Sequence, residues 1–151
     1  MKNLLKGALF ALVMVAISVS CSKESEEYQE PQLDVTPNNI AGCWMLESYD
    51  NGVSLAEGSY VYIDFVRADR SFTIYQNLDS SSAREITGSY YIDTDVELGA
   101  VIRGQYDYGV GDWAHRYVVK SLTANKMIWV AKDDASNVSV YVRATLPEEL
   151  Q

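Results

Sequence analysis

From Ile40 to Thr145 the chain never holds a helical rhythm for three turns. Short runs of β-branched and aromatic residues recur instead, separated by clusters of Gly, Asn, Asp and Ser. That rhythm predicts eight strands, at 40–49, 58–66, 71–77, 84–92, 97–106, 114–121, 125–132 and 137–145. The separators Ala68-Asp69-Arg70, Leu122-Thr123-Ala124-Asn125 and Asp133-Asp134-Ala135-Ser136 have the length of hairpin loops joining sequence neighbours. Successive hairpins make an antiparallel meander. With no helix to cover a sheet face, eight such strands close into a barrel or fold as a sandwich, and unbroken hairpin spacing favours the barrel. The fold class expected is therefore all-β, an eight-stranded antiparallel up-and-down barrel.

Period-two alternation assigns the faces of the strands. Ile63, Phe65, Phe72, Ile74, Tyr90, Ile92, Met127 and Trp129 should point inward, and Asp64, Thr73, Tyr91, Ile128 and Val130 outward. The last strands are apolar on both faces, so alternation decides less there.

The N-terminal third of the chain has a different character. Lys2 and Lys6 precede an apolar run, 7–19, that is too short for a bilayer span but suits the core of a secretion signal. The stretch Ile17-Ser18-Val19-Ser20-Cys21 resembles a lipobox, with Ser18 where Leu is usual. Residues 1–20 are thus expected to be a lipoprotein signal peptide, and Cys21 the fatty-acid-bearing first residue of the mature chain. Residues 21–38 are rich in Glu, Gln, Ser and Pro and should be a disordered acidic tether, followed by the barrel domain at 39–151. Glu24, Glu26 and Glu27 resemble the export tag that sends some Gram-negative lipoproteins to the outer face of the outer membrane, though a generic solvated linker has the same composition.

Cleavage removes Lys2 and Lys6 and leaves ten basic against twenty-one acidic residues, a formal charge of about −11. With the arginines scattered singly, nucleic acid and anionic headgroups are poor partners. An acylated Cys21 leaves Cys43 without a disulfide partner. Between Gly42 and Trp44 it is expected to be a small buried hydrophobe rather than a reactive thiol.

Enzymatic constellations are nearly absent. His115 is the only histidine, which excludes a multi-His metal site and leaves a His-based triad without announced partners. Asp93-x-Asp95-x-Glu97 and Asp133-Asp134 lack EF-hand spacing and read as turn formers. No catalytic residue, metal or cofactor is expected. The segment 104–113, GQYDYGVGDW, stands apart because it sets aromatic rings beside carboxylates and an amide in a glycine-broken loop. Such a loop is equipped to stack on a sugar or grip a small amphipathic molecule, or simply to cover a barrel mouth. Tyr106, Tyr108 and Trp113, with His115 and Tyr117 beyond them, are the candidate ligand-binding residues.

The domain opens with Ile40-Ala41-Gly42-Cys43-Trp44, a G-x-W at the head of the first strand, and its last strand ends in Tyr141-Val142-Arg143. Local echoes are Tyr62-Ile63-Asp64-Phe65 before Ser71-Phe72-Thr73-Ile74, Gly88-Ser89-Tyr90-Tyr91-Ile92-Asp93, and Asp112-Trp113-Ala114 leading to Tyr117. Over roughly 38–145 the chain resembles the lipocalin-like (calycin) lipoproteins of Gram-negative bacteria. The resemblance implies that Trp44 closes one end of the barrel with Arg143 laid across its ring, a structural plug. It also implies an outer-membrane protein, lipid-anchored and exposed at the cell surface or facing the periplasm. The expected function is binding of a small amphipathic or apolar ligand at the open end. The alternative is a surface interaction module, with a filled barrel and an exterior that binds a protein or glycan. Shorter strands than those of classical lipocalins imply a shallower cup.

Overall fold

The computed structural model describes residues 28–78, 82–109 and 111–151. The expected signal peptide, the lipidation site Cys21 and the acidic cluster lie outside the described residues. A short helix α1 (Pro37–Ile40) precedes eight strands: β1 (Gly42–Ser48), β2 (Tyr60–Phe65), β3 (Ser71–Asn77), β4 (Arg84–Asp95), β5 (Gly99–Tyr106), β6 (Tyr117–Leu122), β7 (Lys126–Ala131) and β8 (Asp134–Arg143). All pair antiparallel with their sequence neighbours, and β1 pairs with β8 to close the barrel. Closure gives every strand a partner on both sides.

Turn chemistry fixes the hairpins. Between β2 and β3, Arg70 takes a left-handed φ of 60° while the Asp69 carboxylate accepts from the Ser71 N–H at 3.0 Å and its hydroxyl at 2.7 Å. Between β4 and β5, Asp95 accepts from the N–H groups of Glu97 and Leu98, both at 3.0 Å, and Asp134 likewise holds Ser136. Acids placed at turns in the sequence thus bond to local backbone.

Alternation puts Ile63, Phe65, Phe72, Tyr90, Met127 and Trp129 in the buried core, and Ile74 and Ile92 pack against it. It also moves Cys43. Because Trp44 must point inward, its neighbour faces out, opposite Asp64 on β2, and Cys43 is half-buried rather than buried. Partial burial, with the Asp64 carboxylate nearby, pushes its thiol up to about 11, so it is protonated and unreactive at neutral pH.

Antiparallel order places α1 and the turns 66–70, 96–98 and 123–125 at one end of the barrel. The loops 49–59, 107–116 and 132–133 lie at the other. The first end is closed by α1. Thr36 caps this helix, accepting from Asn39 N–H at 3.2 Å, and Ile40 is fully buried beneath the barrel. The stretch expected to be tether is bound here over its last residues. Leu33 N–H donates to Leu122 O at 2.8 Å, Ser121 Oγ donates to Gln32 at 3.0 Å, and Val35 packs on the core. The apolar Val35, set among polar residues, gives this segment something to bury, while Leu33 stays exposed and is held through its backbone.

The wall is weakest between β5 and β6, which pair only at Val101 with Val118 and Ile102 with Tyr117. Above that point the chain turns back on β5 instead. Tyr106 N–H donates to Gly111 O at 2.7 Å and Trp113 N–H to Gly104 O at 2.8 Å. The sixth strand therefore starts at Tyr117 and not at 114.

Candidate functional site

At the closed end, Trp44 is fully buried and its indole N–H donates to Ile40 O at 2.8 Å. The Arg143 guanidinium lies 3.7 Å from the centre of the Trp44 ring and donates to Ala41 O at 2.6 Å, Asn39 O at 3.1 Å and Ala124 O at 3.2 Å. Three successive carbonyls at the end of α1 are thus satisfied by two barrel side chains. Gly42 is required at this spot: its φ is +98°, and a β-carbon there would lie 3.3 Å from an Arg143 nitrogen. The pair Trp44 and Arg143 is brought together as a structural tie.

The open end is built differently. Trp113 comes back from its loop into the barrel and lies flat on Gly104, where a β-carbon would sit 2.1 Å from the indole. Its ring centre is 5.1 Å from Phe72, 5.7 Å from Trp129 and 6.3 Å from Tyr117. Trp129 in turn lies 4.7 Å from Tyr141 and 5.2 Å from Tyr117. These rings leave a cup of about 150 Å³. Its apolar lining comes from Val61, Ile63, Ile74 and Ala114, and its polar-tipped lining from Tyr106, Trp113, Tyr117, Trp129 and Tyr141.

No residue of that lining is ionised at neutral pH. Burial pushes the Tyr106, Tyr117 and Tyr141 hydroxyls above the ordinary tyrosine value; nearby Tyr106 and Asp133 add to it for Tyr117, and Tyr117 and Tyr106 for Tyr141. Among the described residues, the indole N–H groups of Trp113 and Trp129 are buried without a hydrogen-bond partner.

Three of the five candidate ligand-binding residues, Tyr106, Trp113 and Tyr117, line the cup. The structure does not bring the other two there. Tyr108 is 88 % exposed on the loop. His115 instead lines a groove of about 470 Å³ on the outside of the barrel, with Arg103, Arg116, Lys132, Asp112 and Asp133. Most of these charges are compensated locally: His115 Nδ1 lies 2.8 Å from Asp133, Arg103 2.9 Å from Asp93, and Lys132 2.8 Å from Asp95. The Lys132 ammonium holds the Asp95 carboxyl at about 2, with help from the Glu97 and Leu98 N–H groups, and His115 lowers Asp133. Trp113 and Ala114 border both this groove and the cup.

Tyr141 and Trp129 were missed as site residues. Parity could have found Tyr141, since it shares a face with Arg143. Among the described residues no cluster of His, Cys, Asp or Glu could hold a metal ion.

Eight antiparallel strands in sequence order, closed around a cup and plugged at one end, define a lipocalin-like fold. Two solved structures share it. One is the crystal structure of a lipocalin-like protein from Bacteroides uniformis ATCC 8492, with a TM-score of 0.52 and 18% identity, covering 70% of this chain and 99% of its own. The other, the NMR structure of a protein from the same organism, also has a TM-score of 0.52 and 18% identity, over 74% of this chain and 94% of its own. No protein-family model and no curated protein sequence matches the chain.

Proposed function

We propose that this protein is a lipid-anchored, extracytoplasmic binder of a small molecule, which it takes into the open end of its barrel. The observation that carries this reading is the cup itself. In an eight-stranded barrel the interior is just wide enough either to fill with its own side chains or to hold one small ligand. Here the lower half is packed, while about 150 Å³ stays open above it, bounded by five aromatic residues. The binding reading is preferred over a surface interaction module because that alternative needs a filled interior. An enzyme is not proposed, since the cup has no ionised group and His115 is engaged with Asp133 outside it.

The anchor is proposed at Cys21, with the protein at the cell-surface side of an outer membrane. The bound segment then sets an orientation. Glu30 accepts from Asn125 at the closed end, so only residues 22–29 separate the lipid from the barrel. Eight residues reach at most about 28 Å. The closed end faces the bilayer and the cup opens away from it, toward ligands in the aqueous phase. Cys21→Ser should abolish fatty-acid labelling and release the protein from the membrane fraction; persistent labelling overturns the anchor.

For the cup, the test is tryptophan fluorescence of the purified protein against a broad panel of small amphipathic molecules and glycans. Saturable quenching by a panel member is the expected result. Silence across the panel overturns the binding reading in favour of the interaction module.

A further inference from the structure

We infer that the charged groove on the outside of the barrel, between the 107–116 loop and the 132–133 turn, is a second binding site, made for a neutral sugar residue. It is separate from the cup and does not depend on what the cup holds.

The groove is lined by three cations, Arg103, Arg116 and Lys132, and by His115 and the carboxylates of Asp112 and Asp133. Several of these side chains are pinned by a single bond and keep further bonding capacity. Arg103 donates to Asp93 through Nε at 2.9 Å, with its guanidinium 4.3 Å from the centre of the Tyr91 ring, which leaves its terminal N–H groups free. Lys132 gives one of its three N–H groups to Asp95, a carboxylate itself fixed by the Glu97 and Leu98 N–H groups. His115 Nδ1 and Asp133 Oδ1 engage each other at 2.8 Å, which leaves Nε2 and Oδ2. Asp112 and Arg116 are exposed and have no side-chain partner among the described residues.

This capacity is within reach of an occupant. The side chains of Arg103, His115, Lys132 and Asp133 are 35, 29, 42 and 66 % exposed. Pinned side chains also lose little rotamer freedom when a ligand arrives.

Arginine and lysine can only donate, and an ionised carboxylate can only accept. A hydroxyl does both, so a ring carrying several hydroxyls bonds to either kind of group and leaves the ion pairs in place. Trp113 and Ala114 border the groove and give its apolar surface, against which the C–H face of such a ring can lie. The volume of about 470 Å³ falls within the range of roughly 300–1,000 Å³ usual for small-molecule sites.

The same lining excludes other classes. A free anion would meet Asp112 and Asp133, with Asp93 and Asp95 already bonded to two of the cations, in a chain of net charge −9. A cation would meet Arg103, Arg116 and Lys132. An alkyl chain would cover ionised groups and give them nothing in return.

The test is a titration of full-length ¹⁵N-labelled protein with the methyl glycosides of glucose, galactose, mannose and N-acetylglucosamine, with glucuronate and glucosamine as charged counterparts. At least one neutral glycoside should shift the backbone amides of residues 103–104, 112–116 and 132–133 saturably. The indole N–H of Trp44, bonded to Ile40 O at the closed end, should stay in place. Affinity should be unchanged when salt is raised to about 1 M, where screening reaches about 3 Å. Asp112→Ala combined with Arg116→Ala should weaken binding about tenfold or more, since a lost bond to a charged group is worth at least that factor. Both residues are exposed and unpartnered, so the fold should be unaffected.

Four results overturn the inference. One is the absence of any shift across the panel at concentrations well above the millimolar range. Another is shifts confined to cup residues such as Ile63 and Tyr141, which would put the sugar in the cup. Tighter, salt-sensitive binding of glucuronate or glucosamine would make the groove a site for charge. Unchanged affinity in the double variant would remove its two free charged groups from the site.

Discussion

Trp44 at the closed end and Trp129 at the open end are both almost wholly buried, yet their surroundings are opposite in kind. Trp44 has its N–H bonded at 2.8 Å and its ring covered by a guanidinium that itself bonds three carbonyls. Trp129 is packed against Tyr117, Tyr141 and Trp113, and its N–H has no partner. An unmatched buried donor costs about 1–3 kcal/mol, so the open end holds its shape at some expense to stability. The contrast separates two tasks within one barrel. Closed-end polar groups are bonded within the fold, while the open end leaves two buried indole donors unmatched.

Breaking the closed end should show the largest effect. Trp44→Ala removes a fully buried ring and the donor to Ile40 O, and should lower unfolding free energy by about 3–5 kcal/mol in a denaturant titration. Arg143→Leu should cost about 2–3 kcal/mol, through lost stacking on Trp44 and three stranded carbonyls, and should change the fluorescence of Trp44. If Arg143→Leu is neutral, the guanidinium is ornamental and the closed end owes its stability to Trp44 and Ile40 alone.

At the open end, Gly104→Ala drives a methyl into the space held by the Trp113 indole. Overpacking of this kind should cost about 1–3 kcal/mol. Its sharper consequence is local: displaced toward solvent, Trp113 should emit at longer wavelength. An unchanged spectrum would mean that the indole is not seated on Gly104.

Much of this contrast was legible in the sequence, and the rest failed for identifiable reasons. Alternation placed Ile63, Phe65, Phe72, Tyr90, Met127 and Trp129 inward because each strand buries one face, which period-two patterning encodes directly. The G-x-W spacing pointed to Trp44, though not to the reason for Gly42, which depends on a backbone angle and on the approach of Arg143 from the far end of the chain. The loop 104–113 stands out in the sequence, but its residues part company in space. Trp113 turns into the barrel because β5 and β6 pair at only two positions and leave a gap to be filled, whereas Tyr108 stays outside. Nothing in local composition records how many residues of two strands will pair. The bound segment 30–36 is hidden for a similar reason, since Glu30, Gln32 and Asp34 outweigh Val35 in any compositional reading.

The smallest stability effect expected is that of Trp113→Phe, and its smallness is what makes it informative. The substitution removes part of a ring in contact with Phe72, Tyr117 and Trp129, which by itself costs about 1 kcal/mol or somewhat more. It also removes an indole N–H that is buried without a partner, which returns a comparable amount. The two terms oppose, so unfolding free energy should change by no more than about 1 kcal/mol. Ligand-induced fluorescence change should fall sharply in the same variant, because a tryptophan reporter that lines the cup is lost. A loss of about 3 kcal/mol or more would show that the Trp113 N–H is matched in solution and that Trp113 is as much a part of the fold's foundation as Trp44. That result would erase the difference between the two ends, whereas near-neutral stability with weakened binding would confine the role of Trp113 to the cup.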